Sequence, residues 1–309
     1  MRRIVVSEYL PEAHLERLRT GFEVVYDPDL YADRPRLLEQ LADAEAILTR
    51  NRTQVDTELL AAAGKMRVVG RLGVGLDNID LEACSQAGVA VIPAIGGNAV
   101  AVAEYVIGAM LVLMRDVFAK TESMVAGEWP RQGHAFGREL MGKTLGLVGC
   151  GSIARRVATR AMGFEMRIVA YDPYLPEDDP AWQSVERTEL DLLLAEADVV
   201  SVHTPLTDQT RNLIDSAAFE KMKSSAILIN TSRGGTVDEA ALARALRAGT
   251  IGGAALDVFA AEPLRPGPAA TFKGLDNLIL TPHLAGNTHE AVDRVARMIV
   301  QAVLDELED

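Results

Sequence analysis

Cysteine is scarce in this sequence. Two residues, Cys84 and Cys150, in a chain of 309 cannot build a disulfide framework, and their rarity fits a reducing, cytoplasmic setting. Basic charge is also in deficit: 31 Lys and Arg against 44 Asp and Glu leave a formal net charge of −13. So acidic a surface argues against nucleic acid or an anionic membrane as partner. An anionic ligand must then be caught by local arginines and backbone amides. Long apolar runs are missing as well. The most apolar stretch, Ala99 to Met114, contains Glu104 and falls short of the ~20 residues a membrane span needs, so it reads as a buried helix. The N-terminus enters a strand pattern directly, with no signal-peptide apolar region. There is no repeat, low-complexity tract or charge run, and no metal site is expected.

What is present centres on Thr144 to Pro173. Thr-Leu-Gly-Leu-Val leads into Gly149-Cys150-Gly151-Ser152-Ile153-Ala154, then a helical run, then Arg167-Ile-Val-Ala-Tyr-Asp172-Pro173. Strand, glycine turn, helix and strand in that order make a dinucleotide-binding βαβ unit. Gly149 lets the chain turn sharply, and Gly151 offers no side chain to keep a pyrophosphate from the amides. The helix from Ser152 points its positive end at the phosphates. Ala154 stands where a third glycine is more usual, a mild departure because the position needs only a small residue. Asp172 follows Gly151 by 21 residues, near the ~20 expected for a carboxylate on an adenosine ribose. It repels a 2′-phosphate, and Tyr171-Asp172-Pro173-Tyr174 has no adjacent arginine, so NAD is favoured over NADP. A second GxG, Gly73-Val74-Gly75, is followed by no long helix and fails the same test.

The length suggests two domains. Short β-branched runs at Ile4–Ser7, Glu23–Tyr26, Ala46–Thr49, Arg67–Arg71 and Val89–Ile92 alternate with helical or turn segments. Such alternation predicts a parallel sheet with helices on both faces. Helical spacing is read over Ala13–Leu18, where His14 is taken as a surface residue, and over Leu37–Ala42, Thr57–Ala63 and Leu81–Ala87. Pro93 to Asn98 reads as a hinge at a domain boundary, with Asn98 the N-cap of a helix from Ala99 to about Phe118. A polar loop through Trp129, His134 and Phe136 follows. Further strands are expected at Val199–Val202, Ala226–Asn230, Gly252–Asp257 and Leu278–Leu280, and helices at Glu189–Ala197, Ser216–Met222 and Asp238–Ala248. One amphipathic helix from Asn287 to Asp309 is expected to pack back on the N-terminal unit, making that unit discontinuous.

Three side chains follow strands on the carboxyl edge of the second sheet, where doubly wound folds bind ligands: Arg233, Glu262 and His283. An arginine offers a bidentate fork to a carboxylate. A histidine exchanges a proton with a hydroxyl or carbonyl oxygen. A glutamate on the second ring nitrogen fixes the tautomer and keeps a proton available. Taken singly each has an ordinary structural reading; on one edge beside a nucleotide turn they make a hydride-transfer site.

The same residues carry a resemblance. Gly70-Arg-Leu-Gly-Val-Gly-Leu-Asp-Asn-Ile-Asp80, Gly97-Asn-Ala-Val-Ala-Val-Ala-Glu104, the glycine turn with Asp172, Val202-His-Thr-Pro-Leu206, Asn230-Thr-Ser-Arg-Gly-Gly-Thr-Val-Asp238, Leu256-Asp-Val-Phe-Ala-Ala-Glu-Pro263 and Thr281-Pro-His-Leu-Ala-Gly286 are similar to the D-2-hydroxyacid dehydrogenases, in that family's order. The resemblance implies an α/β protein of two doubly wound parallel-sheet domains. A Rossmann NAD domain, residues 99–286, would be inserted into a flavodoxin-like substrate domain, residues 1–98 and 287–309.

It further implies that Arg233 holds the substrate carboxylate and keto oxygen, that His283 is the acid/base, and that Glu262 is its partner. Ser152 and Ile153 would bind the pyrophosphate alongside Gly149 and Gly151, and Asp172 the ribose. His203, Thr204 and Pro205 would line the adenosine side. Thr231, Ser232, Arg233 and Asp257 would line the nicotinamide side, with His283 and Gly286 close by. The loop Leu72, Gly73, Val74 and Gly75 would offer amides to the carboxylate, in a cleft that closes on the substrate. No segment corresponds to the C-terminal regulatory domain of some phosphoglycerate dehydrogenases, so serine feedback is not expected.

The substrate is therefore expected to be a small anionic D-type 2-hydroxy acid or its 2-keto acid, of sulfolactate, phosphoglycerate or glycerate type. Arg50, Arg52 and Arg71, at or just after strand ends, are candidates to read a second anionic group; the alternative is that they are ordinary surface charges. Trp129 and His134 are candidates to cover the cleft, or simply to pack a loop. A homodimer is expected from the apolar helix at Ala99. The rival reading is a non-catalytic NAD(H)-sensing regulatory protein of the same fold, for which no appended interaction segment is visible. A formate dehydrogenase is disfavoured, because its histidine is usually paired with glutamine where this chain has Glu262.

Overall fold

The computed structural model describes residues 2–115, 117–129, 131 and 137–308. The chain forms two units, Met1–Asn98 with Asn287–Asp309, and Ala99–Gly286.

In the first unit five strands, β1 (Arg3–Val6), β2 (Glu23–Tyr26), β3 (Ala44–Thr49), β4 (Val68–Arg71) and β5 (Ala90–Pro93), lie in the order β2-β1-β3-β4-β5. All pairings are parallel. Both faces of such a sheet must be covered, and two apolar clusters do so. One joins Ile4, Val6, Leu15, Leu18 and Leu48 to Val295, Ile299, Val300 and Val303 of the helix His289–Glu308. The other packs Leu37, Leu41, Leu59 and Cys84 against Val5, Ile47 and Val69. The chain's last helix thus completes the unit in which the chain begins, as its apolar periodicity requires. His14 is buried, not superficial, and its Nε2 lies 2.9 Å from Asp293 Oδ1 of that helix.

The second unit holds seven strands: β6 (Thr144–Val148), β7 (Arg167–Tyr171), β8 (Glu186–Arg187), β9 (Val199–Val202), β10 (Ile227–Asn230), β11 (Gly253–Leu256) and β12 (Leu278–Leu280). Their order is β12-β11-β10-β9-β6-β7-β8, parallel throughout. The direction of winding reverses between β6 and β9, and ligands bind at the carboxyl edge of such a switch point. The central strands are buried along their whole length and are mostly apolar, with Thr144, Ser201 and Asn230 the polar exceptions.

Two expectations are corrected. The apolar helix runs Ala99–Arg115 and does not reach Phe118, which lies in a separate 3-10 turn. Asn98 does not cap it: its side-chain oxygen is buried without a hydrogen-bond partner among the described residues. β8 was not expected, being two exposed charged residues on the sheet edge. His134 and Phe136 lie outside the described residues, and Trp129 is largely exposed. No helix among the described residues is long and apolar enough to cross a membrane.

Candidate active site

Gly149 leaves β6 at φ 92°, a conformation in which a side chain is strained. A Cβ there would stand 3.0 Å from the His203 carbonyl oxygen and 3.2 Å from the Thr204 methyl, so the turn is seated against the end of β9. The Cys150 amide donates to Asp172 Oδ2 at 2.9 Å, and the Tyr174 and Leu175 amides donate to Asp172 Oδ1 at 3.0 and 3.2 Å. Asp172 is thereby fixed beside the glycine turn. Gly151 is the N-cap of the helix Ser152–Met162, and no side chain caps that end, leaving the first amides to a ligand. A Cβ on Gly151 would meet nothing within 4 Å.

Thr204 Oγ1 and Thr231 Oγ1, after β9 and β10, are buried without a hydrogen-bond partner among the described residues. Open space over an uncapped helix and two orphaned hydroxyls along one sheet edge fit a dinucleotide. The His203 ring contacts Ser201 Oγ through Nε2 at 2.9 Å, and burial of the ring pushes its pKa down to about 4. The ring is therefore neutral at pH 7. Pro205 follows on the exposed side.

After β10, the turn carrying Arg233 is built on Asn230, which is fully buried. Asn230 Oδ1 accepts the Ser232 amide and hydroxyl at 3.0 and 2.8 Å, while its Nδ2 donates to the Arg233 carbonyl at 2.9 Å and to Thr236 Oγ1 at 3.2 Å. Arg233 Nη1 donates to the Ser232 carbonyl at 2.6 Å. After β11, Glu262 Oε1 accepts the Phe259 amide at 3.0 Å and Oε2 lies 2.7 Å from His283 Nδ1.

Burial pushes the Glu262 carboxyl up. The hydrogen bonds from His283 and Phe259 and the His283 and Arg233 charges outweigh it, so the net displacement is downward. Glu239, which accepts the Ala260 amide, goes the other way: burial, with the charges of Asp238 and Glu262, raises it. One carboxylate is thus held ionised against Nδ1 of the imidazole, and Nε2 is left outside that pair. Arg233, Glu262 and His283 lie together on the carboxyl edge of one sheet, which their positions in the sequence implied.

Asp257, expected on the nicotinamide side, is 1% exposed. Its oxygens accept from Thr281 Oγ1 at 2.6 Å and from the amides of Leu284 and Ala285 at 2.8 Å each. Three of the four lone-pair positions of its carboxylate are occupied, so its main contacts are with the segment around His283, running on to Gly286. Sequence reasoning missed Asn230, Thr236, Gly234, Thr281 and Tyr105 as members of this architecture. Their signal, a polar residue or glycine near a strand end or, for Tyr105, a phenol within an apolar helix, is too common to single them out.

In the first unit, at the end of β1, Glu8 is 3% exposed. It accepts from Thr49 Oγ1, from the amides of Arg50, Arg52 and Thr53, and from Thr53 Oγ1, which fixes the loop after β3. Burial lowers the Arg50 pKa, and its Nη2 donates to Asn287 Oδ1 at 3.2 Å. Arg52 lies over the Tyr31 ring, 5.0 Å from its centre, and contacts the phenol oxygen. Arg71 is not a surface charge: it is 8% exposed and its Nε donates to the Gly75 carbonyl at 2.9 Å. The Leu72 and Gly73 amides donate within the unit, to Thr49 and Arg71. Those of Val74 and Gly75 have no acceptor among the described residues.

A phosphate-binding turn and a carboxylate-held imidazole on one edge of a doubly wound sheet define a nucleotide-dependent oxidoreductase. Residues 107–285 match the family model described as D-isomer specific 2-hydroxyacid dehydrogenase, NAD binding domain. The chain is 50% identical over 304 residues to (S)-sulfolactate dehydrogenase of Chromohalobacter salexigens, covering 98% of this chain and 97% of that one. It is 39% identical to D-3-phosphoglycerate dehydrogenase of Archaeoglobus fulgidus over 98% of its own length and 57% of that protein's, so it spans little more than half of that relative. Among solved structures, D-lactate dehydrogenase from Aquifex aeolicus complexed with NAD and lactic acid superposes with a TM-score of 0.83 at 27% identity, covering 99% of this chain and 96% of that one.

The chain belongs to the D-isomer specific 2-hydroxyacid dehydrogenase family. It is an NAD-dependent enzyme of that family, with NAD as its cofactor.

Proposed function

We propose that this enzyme interconverts a small D-type 2-hydroxy acid carrying a second anionic group and its 2-keto acid, and that sulfolactate and sulfopyruvate are its substrate pair. The observation that carries the chemistry is the 2.7 Å contact between His283 Nδ1 and Glu262 Oε2. It leaves one imidazole nitrogen, Nε2, to exchange a proton with the substrate oxygen. Bound NAD supplies the hydride acceptor, and NADH the donor.

Arg233 pairs with the substrate carboxylate and polarises the keto oxygen. In reduction His283 protonates that oxygen; in oxidation it removes the hydroxyl proton. Glu262 stabilises the imidazolium and fixes the ring. Gly149, Gly151, Ser152 and Ile153 receive the pyrophosphate, Asp172 the ribose, and His203, Thr204 and Pro205 the adenosine side. Thr231, Ser232 and Gly286 border the nicotinamide, and the amides of Val74 and Gly75 receive the carboxylate. The sulfonate preference rests on the 50% identity to a sulfolactate dehydrogenase and on Arg50, which is held half-buried in a loop fixed by Glu8.

We also propose a homodimer. The apolar side chains of Val112, Val117, Phe118, Met124 and Val125 are exposed along the first helix of the second unit and the segment that follows, more apolar surface than isolated residues leave by chance. Light scattering on the purified protein checks this.

The deciding experiment follows NADH absorbance with sulfopyruvate, phosphohydroxypyruvate, hydroxypyruvate, glyoxylate and pyruvate. Turnover is expected with all that fit, and the highest kcat/KM with sulfopyruvate. Tight NADH binding with no turnover of any member would instead favour a sensor of the nucleotide.

A further inference from the structure

His283 has φ 56°, a left-handed conformation that residues bearing a side chain adopt only when their surroundings hold them there. Its amide donates to the carbonyl oxygens of Asp257 and Thr281, at 2.8 and 3.0 Å. The residues on either side are tied to one carboxylate: Asp257 Oδ1 accepts Thr281 Oγ1 and the Leu284 amide, and Oδ2 the Ala285 amide. A threonine hydroxyl has one proton, and here it goes to Asp257. The 2.6 Å contact between Tyr105 and Thr281 Oγ1 therefore has the phenol as donor.

Tyr105 belongs to the helix Ala99–Arg115, whose other residues are small or apolar apart from Glu104, paired with Arg160, and the terminal Arg115. A phenylalanine would satisfy the packing. The hydroxyl has a separate use, and burial, which pushes the phenol above its ordinary range, keeps its proton in place.

We propose that Tyr105 is a positioning residue for His283. By donating to Thr281 Oγ1 it anchors the loop, gathered on Asp257, that holds the imidazole in its left-handed backbone and against Glu262. The kinetic side of this inference rests on the acid/base role assigned to His283 above.

The test compares wild type with Tyr105→Phe, Thr281→Val and Thr281→Ser. In hydrogen–deuterium exchange, the segment containing Leu284 and Ala285 is expected to exchange about tenfold faster in Tyr105→Phe and Thr281→Val, while Thr281→Ser stays near wild type. In turnover, kcat is expected to fall about tenfold in Tyr105→Phe, with the Kd for NADH within about twofold. The isotope effect on kcat from NADH deuterated at the transferred hydride is expected to rise, because the chemical step becomes limiting. A change confined to stability would lower the active fraction and leave that isotope effect unmoved. Unchanged exchange at 284–285 in both Tyr105→Phe and Thr281→Val would overturn the proposal. A wild type that exchanges as expected yet reduces no 2-keto acid would instead remove the enzymatic reading and leave the positioning role standing.

Discussion

A Cβ placed on Gly234 would fall 1.8 Å from the Phe259 carbonyl carbon and 2.2 Å from the Ala260 nitrogen. The turn that carries Arg233 is therefore packed directly on the backbone of the loop that carries Glu262. The close approach gives Arg233 and Glu262 a common frame.

Replacing Gly234 by alanine forces backbone against backbone, with no flexible side chain to yield. The variant is expected to lose about 1–3 kcal/mol of stability, the usual range for overpacking. Displacing Arg233 and Glu262 together should also lower kcat/KM by about a hundredfold, the scale of a 1 Å misplacement. Denaturant unfolding and steady-state kinetics on the same preparation check both; a loss of stability without a loss of kcat/KM would detach the packing from the chemistry.

Glu262→Gln keeps the side chain's length and an acceptor for the Phe259 amide, but removes the charge beside His283. The expected result is a fall in kcat of about 10- to 100-fold, with the Kd for NADH unchanged, and His283→Asn is expected to cost about 10²- to 10⁴-fold. Since Glu262 is displaced below its ordinary value, it takes up a proton in the folded protein at lower pH than in the unfolded chain. The favourable pairing contributes above the ordinary glutamate value and is lost as pH falls through the lower value of the folded state. The acid limb of the kcat profile should therefore lie below the ordinary glutamate value in wild type and lose this component in Glu262→Gln.

Asp172 accepts three backbone amides around the nucleotide turn, so its charge is oriented as well as present. In Asp172→Asn the Kd for NADH is expected to rise about tenfold, the worth of a hydrogen bond to a charged group. The Kd for NADPH should fall, since repulsion of a 2′-phosphate is removed. Fluorescence titration of both nucleotides gives the ratio; an unchanged preference would mean that Asp172 does not set it.

Much of this was legible in the sequence because it is local. β6, its glycine turn and the helix from Ser152 are contiguous, and the strands on the carboxyl edge place Arg233, Glu262 and His283 by their ends alone. What was not legible depends on contacts that only the fold creates. Arg71 looks like an ordinary strand-end charge until the fold brings the Gly75 carbonyl over it. Tyr105 and Thr281 are separated by 176 positions, and no periodicity links them. β8 has only its pairing with Val169 and Ala170 to define it. Asn98 has the chemistry of a cap, yet its oxygen has no hydrogen-bond partner among the described residues, so propensity alone did not decide that position.

Arg50 and Arg52 are separated by their surroundings. Arg52 is taken up by Tyr31, whereas Arg50 is half-buried and donates to the amide oxygen of Asn287. Arg50→Ala is expected to raise the KM for sulfopyruvate by about tenfold or more, the worth of a charge-assisted pair. The KM for pyruvate, which has no second anion, should change by less than about twofold, and Arg52→Ala should have the smaller effect on sulfopyruvate. Equal effects of Arg50→Ala on both acids would remove the assignment.

Stability against acid is expected to depend on His203. In the unfolded chain His203 takes up a proton near its ordinary 6.5, but in the folded protein burial of the ring delays this to about 4. Between those values the unfolded state holds a proton that the folded state lacks, so stability falls as pH falls. The largest possible loss is about 3 kcal/mol. Part of the residue reaches solvent, which makes this a ceiling. Because Ser201 Oγ can serve an amide as well as an imidazole, His203→Gln is expected to fold and to remove only the titration. The difference in Tm between pH 7 and pH 5 should then be smaller in His203→Gln than in wild type, measured without nucleotide so that binding does not contribute. An equal difference in the two proteins would show that the ring titrates alike in both states.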